Sequence, residues 1–175
     1  MVNQQKMSGF TLVELLIAMF LSTLIVTGLS MSYVTVKSMV SISKNLENAQ
    51  EVLRFSSQIY STSLKQTSLI PTVGPDSIVV SQEANSTACD GLVKAVAYTE
   101  TFTLDGNNLT CDLGAGPITI LTGIDAIAFA INGRLVTITV TPLATGGEPS
   151  GQGANAPFTI DVALTRVILT NATRP

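Results

Sequence analysis

The sequence predicts an α+β protein: a long N-terminal α-helix packed on a mostly antiparallel β-sheet domain. Two observations carry this expectation. No proline occurs before Pro71, and helical patterning persists from the N-terminal region to about Lys65. From Thr67 onward the composition shifts to β-formers, threonine and turn residues, with apolar positions recurring at every second residue. The chain has 175 residues, 46% of them hydrophobic, so setting one long helix aside leaves a single domain of ordinary size with a real core.

The helix is expected to have two halves. Between Phe10 and Gly28 the single ionisable side chain is Glu14, surrounded by Leu12, Val13, Leu15, Leu16, Ile17 and the apolar residues after them. An apolar helix of ~20 residues can cross a bilayer. A charge at the centre of such a helix costs roughly 2.5–3.5 kcal/mol on insertion scales, so Glu14 calls for a partner and a role. Lys6 lies just ahead of the apolar run, and positive flanks stay cytoplasmic, which sends the C-terminal part outward. Further along, the pattern becomes one-sided. Ile42, Leu46, Ala49, Leu53, Tyr60 and Leu64 recur at helical spacing, widened by Val52, Phe55 and Ile59, while Lys37, Lys44, Asn45, Asn48, Glu51 and Gln58 occupy much of the other face. The stripe is expected to be the helix's own contact with the sheet; contact with other subunits is the alternative.

In the β region, Pro71–Asp76 reads as a loop and Ser77–Ser81 as a short strand, with Gln82–Ala88 irregular. A strand pair is expected from Leu92 to Leu104 and from Leu109 to Leu113, joined by the turn residues Asp105-Gly106-Asn107-Asn108. The clearest sheet signal follows a short apolar stretch at Ile118–Leu121. Ile127, Phe129 and Ile131 alternate with alanines, Asn132-Gly133 turns the chain, and Val136, Ile138 and Val140 alternate with threonines. Thr145–Pro157 reads as a mobile loop and Phe158–Leu169 as the final strand.

Composition excludes several chemistries. There is no histidine, which removes Ser-His-Asp and Cys-His arrangements, and two cysteines alone do not complete a zinc set. The glycines around Ser150–Gly153 lack the lysine and the following helix of a phosphate loop. Asp105, Asn107 and Asp112 do not have calcium-loop spacing. No enzyme activity, cofactor or metal is therefore expected. Beyond Gln66 there are nine acidic and four basic residues, a net of −5, so nucleic acid is an unlikely partner. Cys89 and Cys111 lie well past the apolar run, on the side sent outward, and an even count there suggests one disulfide across 21 intervening residues. Two reduced cysteines acting as small hydrophobes are the alternative.

The string Gly9-Phe10-Thr11-Leu12-Val13-Glu14-Leu15-Leu16-Ile17-Ala18 resembles the N-terminal signal of type IV pilins and type II secretion pseudopilins. The resemblance implies cleavage after Gly9 by a prepilin peptidase and N-methylation of Phe10. It also implies that Glu14, the fifth mature residue, neutralises the terminal amine of a neighbouring subunit in the filament. Residues 1–9 would then be a leader, 10–30 the transmembrane or filament-core half of the helix, 31–66 its amphipathic half, and 67–175 the β-rich domain. Asn45–Phe55 and the segment Thr122-Gly123-Ile124-Asp125 resemble PilW-type minor pilins and the pseudopilin GspJ. Major pilins commonly carry a proline near the end of the membrane half, where this chain has Met31, and their second cysteine lies near the C-terminus rather than mid-domain like Cys111. The resemblance therefore implies a minor pilin acting in type IV pilus assembly or initiation. Its partners would be other pilins and the peptidase, and its location the bacterial inner membrane, with the domain periplasmic, and then the filament. The alternatives are a GspJ-like pseudopilin, or a tip protein that binds a ligand, such as an adhesin or DNA-uptake component.

Overall fold

The first helix, α1, spans Leu12–Gln66 in the computed structural model, which describes residues 11–144 and 153–172. Gly9 and Phe10, like Lys6, lie outside the described residues, as do 145–152 of the expected loop. Thr11 starts the helix: its Oγ1 accepts from the Glu14 N–H at 3.3 Å and its carbonyl from the Leu15 N–H at 3.2 Å. A threonine in this position satisfies N–H groups that the first turn leaves without partners. At the other end, the Arg166 guanidinium donates to the Gln66 carbonyl at 3.2 Å.

The chain divides into two units, one ending at Ser41 and the other running from Ile42 to the C-terminus. In the first, every described side chain through Val40 is exposed. In the second, ten antiparallel strands follow the helix among the described residues: β1 (Thr72–Val73), β2 (Ser77–Gln82), β3 (Ser86–Thr87), β4 (Val93–Lys94), β5 (Tyr98–Asp105), β6 (Asn108–Asp112), β7 (Pro117–Thr122), β8 (Ile124–Asn132), β9 (Leu135–Pro142) and β10 (Phe158–Ala163). They form a five-stranded sheet in the order β1-β2-β5-β6-β7, a three-stranded sheet β10-β9-β8, and the small pair β3-β4. A short helix, α2 (Thr165–Ala172), ends the described chain.

Helix and sheets together make the expected α+β arrangement, and their shared core explains it. Val52, Tyr60 and Leu64 are buried with Ile78, Phe102 and Leu109 of the larger sheet and with Ile124, Ile138 and Val162 of the smaller one. The Tyr60 ring meets Phe102 (5.3 Å) and Phe129 (5.7 Å) edge-on, the geometry that aromatic quadrupoles favour. In β8 and β9 the alternation read from the sequence holds: Ile127, Val136, Ile138 and Val140 are buried, while Ala126, Ala128 and Ala130 are exposed.

Several elements differ from the sequence reading. The helical stripe buries Val52, Tyr60 and Leu64, yet Ile42, Leu46 and Leu53 are 51%, 49% and 45% exposed. Asn45, Ser56 and Ser63 are buried instead, and Asn48 is half-buried. Hydrogen bonds to the sheet region draw part of this polar set inward: Asn48 donates to the carbonyls of Gly123 (3.1 Å) and Leu143 (3.3 Å), and Ser63 donates to Glu100. The expected long strand from Leu92 breaks into β4 and β5. The chain turns back at Ala88–Leu92, where the Leu92 carbonyl accepts from the Ala88 N–H at 2.9 Å, and Leu92, Val93 and Val96 stay exposed. The β8–β9 turn is centred one residue later than expected, on Gly133-Arg134, with Gly133 at φ +62° and Asn132 paired to Leu135 inside the strands. Positive φ at the first central residue suits glycine in a two-residue hairpin. The last expected strand stops at Ala163, and Leu164 and Val167 are buried at helical rather than alternating spacing.

Candidate assembly site

Glu14 sits in the first turn of α1, exposed. Among the described residues its carboxylate has no hydrogen bond or ion pair. Its place at the N-terminal end, three residues after the capping Thr11, is where the helix dipole favours an anion. Thr11 was not singled out from the sequence, although Thr-x-x-Glu ahead of an apolar run is the signal that could have found it. Gly9 and Phe10 precede the described residues, so the structure places neither of them against Glu14.

From Leu15 to Val36 the helix carries no ionisable side chain other than Tyr33. From Ser22 to Thr35 its serine and threonine hydroxyl groups are turned back into it. Ser22 donates to the Met19 carbonyl, Thr23 to Phe20, Thr27 to Thr23 and Leu24, Ser30 to Val26, Ser32 to Gly28 and Thr35 to Met31, at 2.8–3.1 Å. A side chain that satisfies itself on its own helix needs no water, which makes this surface compatible with lipid or with packed helices. By length and composition α1 can cross a membrane.

In the second unit the structure brings Cys89 and Cys111 together. They form a disulfide with a Cα–Cα distance of 6.5 Å. Cys111 is buried in β6 opposite Phe102 of β5, and Cys89 lies in the β3–β4 turn. Behind the bridge lies a buried acid that the sequence reading missed. Glu100 has no exposure, and its carboxylate accepts from the Ser63 hydroxyl at 2.5 Å, the Cys89 N–H at 2.9 Å and the Gln82 amide at 3.4 Å. Burial pushes its pKa above the usual carboxylate range, with the Asp90 charge adding a little, against the opposing pull of the three donors. This cluster ties the helix, the disulfide and two strands together by hydrogen bonds. No group of three or more metal-ligating side chains occurs among the described residues.

Gly123 joins the helix to both sheets. At φ +85° it adopts a backbone conformation that favours glycine, and a Cβ there would lie 2.2 Å from the Asn48 Oδ1. This gives a physical reason for the glycine in Thr122-Gly123-Ile124-Asp125.

Residues 4–30 match a family model described as the prokaryotic N-terminal methylation motif. No curated protein and no solved structure matches the chain. The match covers Gly9, Phe10, Glu14 and the apolar helical stretch up to Ser30. The chain thus carries a type IV pilin-like prepilin signal ahead of an α+β domain.

Proposed function

We propose that this protein is a minor pilin, stored in the inner membrane through the first half of α1 and then assembled into a type IV filament. Leader removal after Gly9 frees the Phe10 amine, which is methylated. Methylation keeps its positive charge, so the amine still attracts a carboxylate. Glu14 of an adjacent subunit supplies that carboxylate. Buried singly, each charge is costly; paired, they cost much less, and the pairing fixes the axial register of the incoming helix. The observation that carries this reading is the match over residues 4–30, with Glu14 lying in the first turn of an apolar, membrane-length helix.

Leader removal and methylation are read by mass. The mature chain should begin at Phe10 and carry one added methyl group; an intact leader would overturn the processing step. The pairing is read by replacing Glu14 with alanine. Membrane insertion should persist while incorporation into filaments falls severely, and normal incorporation would sink the pairing mechanism.

A further inference from the structure

The β3–β4 hairpin is tied to the rest of the domain chiefly by one covalent bond. Its strands have two residues each and pair with each other, in a sheet separate from the two larger ones. Much of its bonding is internal: the Asn85 N–H donates to the Lys94 carbonyl, the Ala88 N–H to the Leu92 carbonyl, and Lys94 pairs with Asp90 at 2.6 Å. Ala88 is buried and Cys89 half-buried, but Leu92 and Val93 are 61% and 65% exposed, so the hairpin adds little apolar surface to the core. Among the described residues, three hydrogen bonds join residues 86–94 to α1 and β5. The Thr87 N–H donates to the Gln66 side chain at 3.0 Å, the Cys89 N–H to Glu100 at 2.9 Å, and the Ser86 hydroxyl to the Tyr98 hydroxyl at 3.1 Å. The remaining tie is the bridge from Cys89 to Cys111 of β6. Segments with so few buried apolar contacts are the ones that open locally.

The hairpin rests on Glu100, and the surroundings of that acid supply no unpaired positive charge. From α1 come Ser63 and, along the wall of the adjoining cavity, Gln58, Ile59 and Thr62, all uncharged. From β2 comes the Gln82 amide, and Glu83 beside it is paired with Arg166. Tyr98 of β5 offers a hydroxyl, and Cys111 of β6 is held in the bridge. The hairpin itself brings Asp90, a like charge paired with Lys94. Protonated, Glu100 suits this site; ionised, it favours water.

We propose that the β3–β4 hairpin is a flap latched over Glu100 by the Cys89–Cys111 bridge, and that reducing the bridge lets the flap open once Glu100 ionises. The reductant is an external dithiol. Its thiolate attacks the sulfur of Cys89, the half-buried partner, and fully buried Cys111 leaves and takes a proton. The second thiol of the dithiol then displaces Cys89, so the protein gains two electrons and two protons and the dithiol becomes a disulfide. With the bridge closed, the hairpin stays down whatever the charge on Glu100. With the bridge reduced, opening withdraws the Cys89 N–H and lets water reach the carboxylate, which favours ionisation, so each event promotes the other. The inference stands on the second unit alone, and failure of the Glu14 experiment leaves it standing.

The test follows hydrogen exchange at single amides of the full chain in detergent micelles, oxidised, or reduced with dithiothreitol at neutral pH and then moved to each pH. Rates are taken relative to the intrinsic rate at that pH. In the reduced chain, Thr87 and Cys89 should lose protection by up to about tenfold per pH unit between the ordinary carboxylate range and the raised value of Glu100, and then level off. In the oxidised chain both should stay protected across that span, and the paired amides of β2 and β5 should stay protected in either state. Cys89→Ser with Cys111→Ser should behave as the reduced chain does, and Glu100→Gln should remove the pH slope from it. Unchanged protection on reduction, a loss shared by β2 and β5, or a slope that persists in Glu100→Gln would each overturn the proposal.

Discussion

The two stretches of α1 use hydrophobicity in opposite ways. Up to Val40 the helix exposes Leu, Ile, Val, Met and Phe, and from Ser22 to Thr35 it returns its serine and threonine hydroxyl groups to its own backbone. From Ile42 onward it buries Asn45, Ser56 and Ser63 while leaving Ile42, Leu46 and Leu53 half exposed. An apolar side chain therefore does not reveal which surroundings it will meet. In the first stretch the medium must come from outside the domain, as lipid or as other helices. In the second, Ser63 is held inside by hydrogen bonds with Glu100 and Gln82, the buried Ser56 hydroxyl has no partner among the described residues, and some of the apolar side chains stay free for other contacts.

The sharpest way to break this contrast is Tyr60→Ala. Losing a fully buried aromatic that meets two others should cost about 3–5 kcal/mol of domain stability, measured by denaturant unfolding. Tyr60→Phe should be close to neutral or mildly stabilising, because the buried hydroxyl has no hydrogen-bond partner among the described residues. Gly123→Ala comes next. It combines an unfavourable φ with displacement of Asn48, and a loss of about 1–3 kcal/mol is expected in the same measurement.

Glu100 tests the polar side of the comparison through pH. Its pKa is raised in the fold, so the native state holds the proton more tightly than the unfolded chain does. Stability should be greatest below the ordinary carboxylate range and should fall as pH rises from that range to the raised value. Glu100→Gln should flatten this slope in unfolding curves taken across that window. The smallest expected effect on stability comes from Leu46→Ser, within about 0.5 kcal/mol, because the side chain is half exposed. If the proposed filament role holds, the same substitution should reduce incorporation, which separates an assembly surface from a folding surface.

These contrasts also show what could be read in advance. α1 and the β8–β9 hairpin were legible because each repeats one period over many residues, and the prepilin signal was legible because it is local. The buried face of α1 was only partly legible. Ser63 is buried through Glu100 and Gln82, partners 37 and 19 residues away, and no local pattern announces them. The end of the last strand was missed because Ile160, Val162, Leu164 and Val167 satisfy a strand and then a helix in succession, with Leu164 common to both spacings. Glu100 looked like one more acid in a threonine-rich strand, and tertiary packing alone made it a buried one.

The bond from Arg166 to the Gln66 carbonyl has a consequence for the order of folding. The last residue of α1 is closed by a group one hundred positions later, and the same arginine also pairs with Glu83. Contacts of such sequence separation form slowly, because a long loop must close before they contribute. Synthesis must deliver the chain through α2 before this end of the domain can be completed. Until then, an emerging chain leaves this end of the domain open, and a nascent chain truncated before Arg166 lacks the clasp that holds the end of the helix to the C-terminal segment.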